Sequence, residues 1–348
     1  SFSVNKKPQT VMTLARNAYV GDDTITIGAG QSLMVGHFVS LQSGTSGGQD
    51  QFHTEMANIY PSSVSIFVNG AKGSSSASKT SNVTNYWWDL ATNTRGSAFD
   101  NFYTKIAEGG ISQVKAIIWS QGEEDSHHML VDTTRAQFKQ SVLAIFADMR
   151  TNLGNPIILI QRIGRRGDAY TNSINMGIQI VREVQQEIID ENPSWCFFGS
   201  EMYDQVLYDS VHLDDAGFVS VAKRDARKLS NILGNNLTGT SGPRMVSASL
   251  SGTQVTVTLA HDDGSDFSPT TNISGFCFYD GATVMSITSA VKTNATTVTL
   301  TLAATPASGV YKLYYGFDDM SGITLANILH DNTSNTMPLR TGVITNFS

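Results

Sequence analysis

The sequence predicts two folded units: an α/β domain of three layers, with a mostly parallel sheet between helices, and a smaller antiparallel β-sandwich after it. Three observations support this fold class. Short apolar runs alternate with longer segments of helical period from about residue 25 to 235, as in βαβ units. The composition then changes to Asn, Thr, Gly and Ser over residues 235–243, which is typical of a linker. Beyond it, apolar and polar residues alternate with the period of two of half-buried strands.

The elements of the first unit follow from the lengths and periods of its apolar segments. Strands are predicted at 25–29, 64–69, 114–119, 156–161 and 195–199. Helices are predicted where apolar residues recur at helical spacing, over 97–108, 133–150, 173–190 and 215–233. Ligands of such sheets bind beyond the carboxyl ends of the strands, so the loops at that edge are the place to look for chemistry.

The predicted unit boundaries follow the linker. We predict an N-terminal extension at 1–24, the α/β domain at 25–238, and the β-sandwich at 243–348 as an accessory domain. The sandwich is predicted from segments rich in Thr, Val and Tyr that alternate with period two, at 245–260, 296–303 and 309–317.

The bulk composition narrows the class of partner. The 348-residue chain carries a net charge of −7, and it shows no basic face of the kind that duplex binding requires, so no nucleic-acid partner is expected. No apolar stretch approaches the ~20 residues of a membrane-spanning helix, so no membrane span is predicted. Cys196 and Cys277 fall in different predicted domains, which argues against a disulfide framework or a thiolate metal site.

A glycine-rich turn follows the first predicted strand. Residues 28–36 read GAGQSLMVG, and the two glycines before the serine permit the backbone of a sharp turn. Ser32 on such a turn is either a helix cap or a nucleophile. The residues at the other strand ends decide between these two interpretations.

Polar stretches also follow other predicted strands, and a parallel sheet gathers them along the edge where Ser32 lies. These stretches are NGAKGSSS at 69–76, WSQGEED at 119–125 and DSVH at 209–212. His212 is predicted to accept the proton of the Ser32 hydroxyl, since an imidazole titrates near neutral pH. Asp209 lies close enough in the same turn to orient that imidazole. The order of the four stretches therefore favours the nucleophile interpretation of Ser32.

Acyl transfer by a serine also needs hydrogen-bond donors for the oxyanion. The predicted donors are the backbone N–H groups of Ser32 and Gly73 and the side-chain amide of Gln121. Gln31 and Arg162 are predicted to contact the substrate, with Arg162 as a candidate for an acidic glycan.

The carboxylates of the third stretch have other predicted roles. Glu123 and Asp125 are expected to shape the loop through hydrogen bonds and are left out of the catalytic set. The run from Glu123 to His128 contains common metal-ligand types, but adjacent histidines rarely bind one ion and no second cluster completes a site. We therefore predict no metal and no other cofactor.

Together the four motifs resemble those of the SGNH (GDSL-like) hydrolase superfamily. GQS followed by WSQGEED is similar to its carbohydrate acetylesterase branch, which contains sialate O-acetylesterases and acetyl xylan esterases. The branch usually has Asn where this chain has Leu33. The resemblance covers about residues 25–235 and implies a flavodoxin-like catalytic domain that removes acetyl groups from sugar hydroxyls without a metal. It implies an acetylated glycan or polysaccharide as substrate, and an extracellular, periplasmic or virion-surface location.

Two alternatives remain open from the sequence. The same triad serves a short-chain or lipid ester hydrolase, which would differ in its preferred acyl length. The chain would otherwise be a glycan-binding or receptor-binding module, for example part of a phage tail spike, with secondary deacetylase activity. In that case it belongs to a larger or oligomeric assembly.

Overall fold

The computed structural model describes residues 24–39, 41–45, 47–167, 172–316 and 323–348. The predicted N-terminal extension lies outside these residues, apart from Thr24, which begins the first strand. The predicted helix from residue 173 is described from Asn172 onward.

The first unit contains eight strands and seven α-helices within these residues, and a short π-helix, Asn231–Asn235, follows the last of them. The strands are β1 (Thr24–Gly30), β2 (Ser65–Asn69), β3 (Ser76–Ser78), β4 (Tyr86–Asp89), β5 (Thr94–Arg95), β6 (Ala116–Ser120), β7 (Ile157–Ile160) and β8 (Cys196–Phe198). The helices are α1 (Ser32–Phe38), α2 (Gly47–Ile59), α3 (Ser97–Gly109), α4 (Glu123–His128), α5 (Arg135–Asn152), α6 (Asn172–Glu191) and α7 (Asp215–Ser230). Five strands form a parallel sheet in the order β2-β1-β6-β7-β8. This confirms the predicted α/β class.

The side chains of β6 show how the sheet is covered on both faces. All five of its residues are buried, as expected for a central strand of a parallel sheet. Ala116 and Ile118 belong to the apolar cluster formed with α1, α2 and α7. Ile117 and Trp119 point to the opposite face and pack in the cluster that includes residues of α3, α5 and α6. Helices therefore lie on both faces of the sheet, which gives the predicted three layers.

Local side chains fix the starts of two helices. Thr134 caps α5: its side chain accepts from Gln137 N–H at 3.2 Å, while Gln137 Oε1 accepts from Thr134 N–H at 2.8 Å. Asp214 caps α7 by accepting from Gly217 N–H at 2.7 Å. The second cap fixes the chain direction directly after the DSVH turn.

The second unit is antiparallel, as predicted. Its strands are β9 (Arg244–Ser251), β10 (Gln254–Ala260), β11 (Phe267–Ser268), β12 (Phe276–Asp280), β13 (Thr283–Met285), β14 (Ile287–Asn294), β15 (Thr297–Leu302), β16 (Tyr311–Tyr315), β17 (His330–Asp331) and β18 (Gly342–Ile344). Two four-stranded sheets, β14-β15-β10-β9 and β13-β12-β16-β18, share one apolar core. Val257 and Leu300 reach this core from one sheet, and Phe278 and Leu313 from the other.

A buried polar network lies behind helix α1. Gln161 Nε2 donates to Asp225 Oδ2 and lies 3.1 Å from Nε2 of His37. Ser200 Oγ donates to the other oxygen of Asp225 at 2.9 Å. Burial lowers the pKa of His37 to about 4 and raises the pKa of Asp225 to about 7. Helix α1 thus contributes a neutral imidazole to this network, and Asp225 contributes a carboxyl group that burial keeps partly protonated.

Replacing Asp225 with Asn is expected to stabilise the protein above neutral pH. Between the ordinary pKa of 3.8 and about 7, the folded state holds a proton that the unfolded state has released, so stability falls as pH rises. An amide removes that loss, and the expected gain at pH 8 is about 1–4 kcal/mol in the free energy of unfolding. Urea unfolding at several pH values measures it.

The matched control for this substitution is Asp280→Asn. Asp280 is half-buried at the end of β12, and hydrogen bonds from Ser308 and from Ala307 N–H lower its pKa. Its replacement is therefore expected to lower the free energy of unfolding above about pH 4, whereas Asp225→Asn is expected to raise it. If the difference in the free energy of unfolding between Asp225→Asn and the wild type stays constant with pH, the prediction is wrong.

Candidate active site

The turn between β1 and α1 places Ser32 at the carboxyl edge of the sheet. Gly30 has a φ of +127°, and a Cβ at this position would lie 1.8 Å from the carbonyl oxygen of Ser120 on the neighbouring strand. Only glycine fits such a conformation and such an approach. The Gln31 N–H then donates to Ser120 O at 2.9 Å, and Ser32 begins helix α1.

Ser32, His212 and Asp209 form a continuous chain of hydrogen bonds. Ser32 Oγ lies 2.9 Å from His212 Nε2, and His212 Nδ1 lies 2.7 Å from Asp209 Oδ2. Gln31 occupies the N-cap position of α1, so Ser32 is not the helix cap of the alternative interpretation. This arrangement matches the order nucleophile, base and orienting acid that serine acyl transfer requires.

The turn at residues 209–212 holds Asp209 in place. Its Oδ1 accepts from Val211 N–H at 2.8 Å and from His212 N–H at 2.7 Å. Burial by itself would raise the pKa of Asp209, but the hydrogen bonds from His212 and Val211 outweigh it and lower that pKa. The carboxylate therefore stays ionised at neutral pH and faces the imidazole.

Gln121 lies in a buried network rather than facing open space. Its Nε2 donates to Gln31 Oε1 at 2.9 Å, to Ser75 O at 2.7 Å and to Asp125 Oδ2 at 3.2 Å. An amide nitrogen carries only two hydrogens, so these acceptors use both of them. In this arrangement the Gln121 side chain has no hydrogen left for an oxyanion, and it instead joins the loops that follow three strands.

The structure also gives Gln31 a different environment from the predicted substrate contact. Its side chain is buried, and its Oε1 accepts from Gln121 Nε2 at 2.9 Å and from Glu124 N–H at 3.2 Å. Gln31 therefore ties the nucleophile turn to the third polar stretch. The direction of its side chain explains the difference, since the residue before Ser32 points into the protein.

Of the two carboxylates expected to shape the third stretch, only Asp125 does so through hydrogen bonds. It accepts from Ala77 N–H at 2.8 Å, Ser78 N–H at 3.2 Å and Ser81 Oγ at 3.0 Å. Glu123 is also buried, but neither of its carboxylate oxygens has a hydrogen-bond partner among the described residues. Burial raises the pKa of Glu123 to about 7. The hydrogen-bonding prediction is therefore wrong for Glu123.

The loop after β2 lies beside the turn that carries Ser32. Lys72 N–H donates to Gly30 O at 2.9 Å, which places the loop after β2 beside the nucleophile turn. The N–H groups of Ser32 and Gly73 have no hydrogen-bond acceptor within the described parts of the chain. A Cβ built on Gly73 would meet no atom within 4 Å, so this residue faces open space. Both backbone N–H groups predicted as oxyanion donors are thus without an acceptor among the described residues.

Arg162 lies away from the Ser32–His212 pair, against the prediction of a contact at the active edge. Arg162 is 1% exposed, and its guanidinium donates to Arg182 O at 3.0 Å and to Gln186 Oε1 at 2.5 Å on helix α6. Successive residues leaving a strand point to opposite faces. Gln161 therefore reaches the α7 side of the sheet, and Arg162 reaches the α6 side.

The described residues hold neither a cluster of metal ligands nor a membrane-spanning helix. Among them, no three His, Cys, Asp or Glu side chains are placed to hold one metal ion. No helix in these parts of the chain has the length and apolar character needed to cross a membrane.

Comparison with protein families gives one match. The profile of the family described as "Carbohydrate esterase, sialic acid-specific acetylesterase" matches residues 40–231, more than half of the chain. The match includes Gln121, Asp209 and His212, and it begins after Ser32. No curated protein matches the sequence.

Comparison with solved structures gives a likeness over nearly the whole chain. A carbohydrate acetylesterase from Xanthomonas citri has a TM-score of 0.65 at 14% identity, covering 93% of this chain and 81% of that protein. A carbohydrate acetylesterase from Sinorhizobium meliloti has a TM-score of 0.41 at 11% identity, covering 60% of this chain and 100% of that protein. The similarity to the Xanthomonas citri protein shows that the two chains share a fold across both units.

Proposed function

The chain belongs to the sialic acid-specific acetylesterase family of carbohydrate esterases, and on this premise we propose that it removes acetyl groups from sugar hydroxyls through an acyl-enzyme on Ser32. The family gives the reaction class, a carboxylic ester hydrolysis on an acetylated carbohydrate. One observation carries the proposal of the mechanism, namely the hydrogen-bonded chain from Ser32 Oγ through His212 to Asp209.

The first half of the proposed reaction forms the acyl-enzyme. Ser32 Oγ attacks the acetyl carbonyl carbon while His212 Nε2 takes the hydroxyl proton. Asp209 holds the imidazole with its Nδ1–H toward the carboxylate and stabilises the imidazolium. The oxyanion of the tetrahedral intermediate accepts hydrogen bonds from the N–H groups of Ser32 and Gly73. The bond to the sugar oxygen then breaks, and that oxygen leaves as an alcohol with the proton from His212.

The second half releases acetate. A water molecule gives one proton to His212 and attacks the carbonyl carbon of the acetyl-serine. The same two N–H groups stabilise the second tetrahedral intermediate. When it collapses, Ser32 Oγ takes the proton back from His212, and acetic acid leaves and ionises to acetate.

For Gln121 we propose a positioning role in place of the predicted direct contact with the oxyanion. Its amide holds Gln31 beside Ser32 and holds the backbone of Ser75, two residues after Gly73. It thereby fixes the separation of the two proposed N–H donors. A displacement of such a donor from the oxyanion costs rate because the hydrogen bond depends steeply on distance and angle.

The wild-type protein tests the proposed substrate class through its acyl-chain preference. We expect kcat/KM for p-nitrophenyl acetate to exceed that for the octanoate by about tenfold or more, because an acetyl-specific site has no room for the extra methylenes. Acetate release from acetylated oligosaccharides is measured in parallel. A preference for octanoate would instead support the lipid ester hydrolase, and binding of acetylated glycan without turnover would support the binding module.

A further inference from the structure

Asp209 and His212 lie at the tip of a short hairpin formed by residues 206–214, which we call the acid–base hairpin. Its two arms are joined by backbone hydrogen bonds, including one of 3.1 Å from Asp214 N–H to Val206 O. One arm continues into helix α7, and the other follows the segment that leaves strand β8. The position of the hairpin therefore depends on how these two flanking segments are held.

Tyr203, in the segment between β8 and the hairpin, places its side chain in the core of the second unit. It is fully buried, and among the described residues it is the one member of the first unit in the apolar cluster that the two four-stranded sheets share. Its ring packs edge-to-face with Tyr315 of β16, with 6.0 Å between the ring centroids. Its hydroxyl donates to Leu339 O at 2.7 Å. The second unit therefore holds this side chain both by packing and by a hydrogen bond.

Glu201 provides a second anchor in the same segment. It is buried, and its Oε1 accepts from Thr341 N–H at 2.9 Å and from Thr341 Oγ1 at 3.0 Å. Thr341 lies two residues after Leu339 and directly before strand β18. One stretch of the second unit thus binds both Glu201 and Tyr203.

Met202, between these two anchors, packs within the first unit instead. It belongs to one buried apolar cluster with Leu33 and Leu213, which adjoin Ser32 and His212 in the chain. The anchors on either side of Met202 therefore fix a side chain that packs with the chain neighbours of both partners in the 2.9 Å hydrogen bond between Ser32 Oγ and His212 Nε2.

Two arginines of the first unit also bind this segment. Arg165 Nε donates to Tyr203 O at 3.1 Å. Arg224 of helix α7 pairs with Asp204 at 2.6 Å and donates to Glu201 O at 3.1 Å. The first unit thus holds the backbone of the segment, whereas the second unit holds two of its side chains.

We propose that the second unit positions the base of the reaction, with Tyr203 and Glu201 as positioning residues that hold Met202 and the acid–base hairpin beside Ser32. This inference rests on the proposed function, because its consequence is the rate at which His212 accepts the proton of Ser32. Catalysis is sensitive to such positioning, since a displacement of about 1 Å at the reacting groups can cost ~100-fold in rate. The second unit is then part of the scaffold of the active site.

Tyr203→Leu in the full chain tests the proposal, because it removes both the ring and the hydroxyl of the anchor. We expect kcat for p-nitrophenyl acetate to fall by about 10–100-fold while KM stays within about twofold, since a displaced base acts on the transition state and not on substrate binding. Amide hydrogen exchange of residues 206–214, measured by mass spectrometry, is expected to become faster because the hairpin opens more often.

Tyr203→Phe is a milder variant of the same anchor. It keeps the ring in the core and loses only the hydrogen bond to Leu339 O, so we expect it to fold. We also expect it to lower kcat by about two- to fivefold with KM unchanged. It tests the anchor even where Tyr203→Leu does not fold.

Phe278→Leu is the matched control, because it removes a ring from the same core. The ring of Phe278 contacts Tyr311 and Phe347, both in the second unit, at centroid distances of 5.8 and 5.6 Å. We expect this variant to lower the thermal midpoint and to leave kcat, KM and the exchange of residues 206–214 as in the wild type. A loss of kcat equal to that of Tyr203→Leu would overturn the assignment to Tyr203.

Unchanged kcat and unchanged exchange in the Tyr203 variants would overturn the proposal and show that the bonds from Arg165 and Arg224 suffice. Faster exchange with unchanged kcat would also overturn it, because catalysis would then not need the anchor. A wild type without Ser32-dependent acetate release would overturn the proposed function instead. The exchange rates of Tyr203→Leu and Phe278→Leu would still decide whether the second unit holds the hairpin.

Discussion

Replacing Ser32 with Ala is expected to lower kcat for acetate release by a factor of about 10⁴–10⁶, as loss of the nucleophile does in serine hydrolases. The acyl-enzyme cannot form without the hydroxyl, so only direct attack by water remains. His212 loses one hydrogen-bond partner at 2.9 Å, but the turn at residues 209–212 still holds it. The fold is therefore expected to remain intact. Initial rates on p-nitrophenyl acetate measure the loss.

Ser210→Ala is the matched control, because Ser210 lies in the turn that carries His212 but has no hydrogen bond to Ser32 in the described part of the chain. We expect it to change kcat less than threefold and to leave the thermal midpoint unchanged. The acyl-enzyme also predicts a mass increase of one acetyl group on wild-type protein quenched during turnover, and none on Ser32→Ala. Activity in Ser32→Ala within tenfold of the wild type would contradict the proposed nucleophile.

The central sheet is predictable from the sequence because each of its strands is a short apolar run bounded by turn residues. Strand β6, buried on both faces, shows this most clearly. The positions of Ser32, Asp209 and His212 follow from the same pattern, since a parallel sheet brings the ends of its strands to one edge.

Helix α2 was not predicted. Few of its residues are apolar, and Phe52 and Met56 alone give too weak a helical period.

The hydrogen-bond partners of buried amides are not predictable in this way. Gln121 bonds to Gln31, Ser75 and Asp125, which lie 90, 46 and 4 residues away in sequence. Which of these acceptors meets the amide depends on how the loops fold against one another. A motif identifies the residue but not whether its N–H groups face a substrate or the protein.

A shift of one residue at the end of strand β7 changes the face of the sheet that Arg162 reaches. Strand β7 ends at Ile160, and the side chains after it alternate between the two faces. Gln161 meets Asp225, whereas Arg162 meets helix α6. A prediction that places strand ends within one or two residues cannot distinguish these two outcomes.

Replacing Asp209 with Asn is expected to lower kcat by a factor of about 10⁴ with KM little changed, because the substitution reverses the imidazole tautomer. Oδ1 of an Asn keeps the hydrogen bonds from Val211 N–H and His212 N–H, so its Nδ2 replaces Oδ2 beside His212 Nδ1. That amide donates, and Nδ1 must then accept. The ring proton moves to Nε2, which can no longer take the proton of Ser32. Steady-state kinetics at pH 7–8 measures the loss.

Asp214→Asn separates this tautomer effect from a general disturbance of the segment. Asp214 caps helix α7 two residues after His212, and Asn caps a helix as well as Asp does. This control is therefore expected to keep near wild-type kcat and stability. An Asp209→Asn variant that is folded and retains more than a tenth of the wild-type kcat would show that His212 does not need the carboxylate to act as the base. Because hydrogen bonds lower the pKa of Asp209, its ionisation does not limit the wild type near neutral pH.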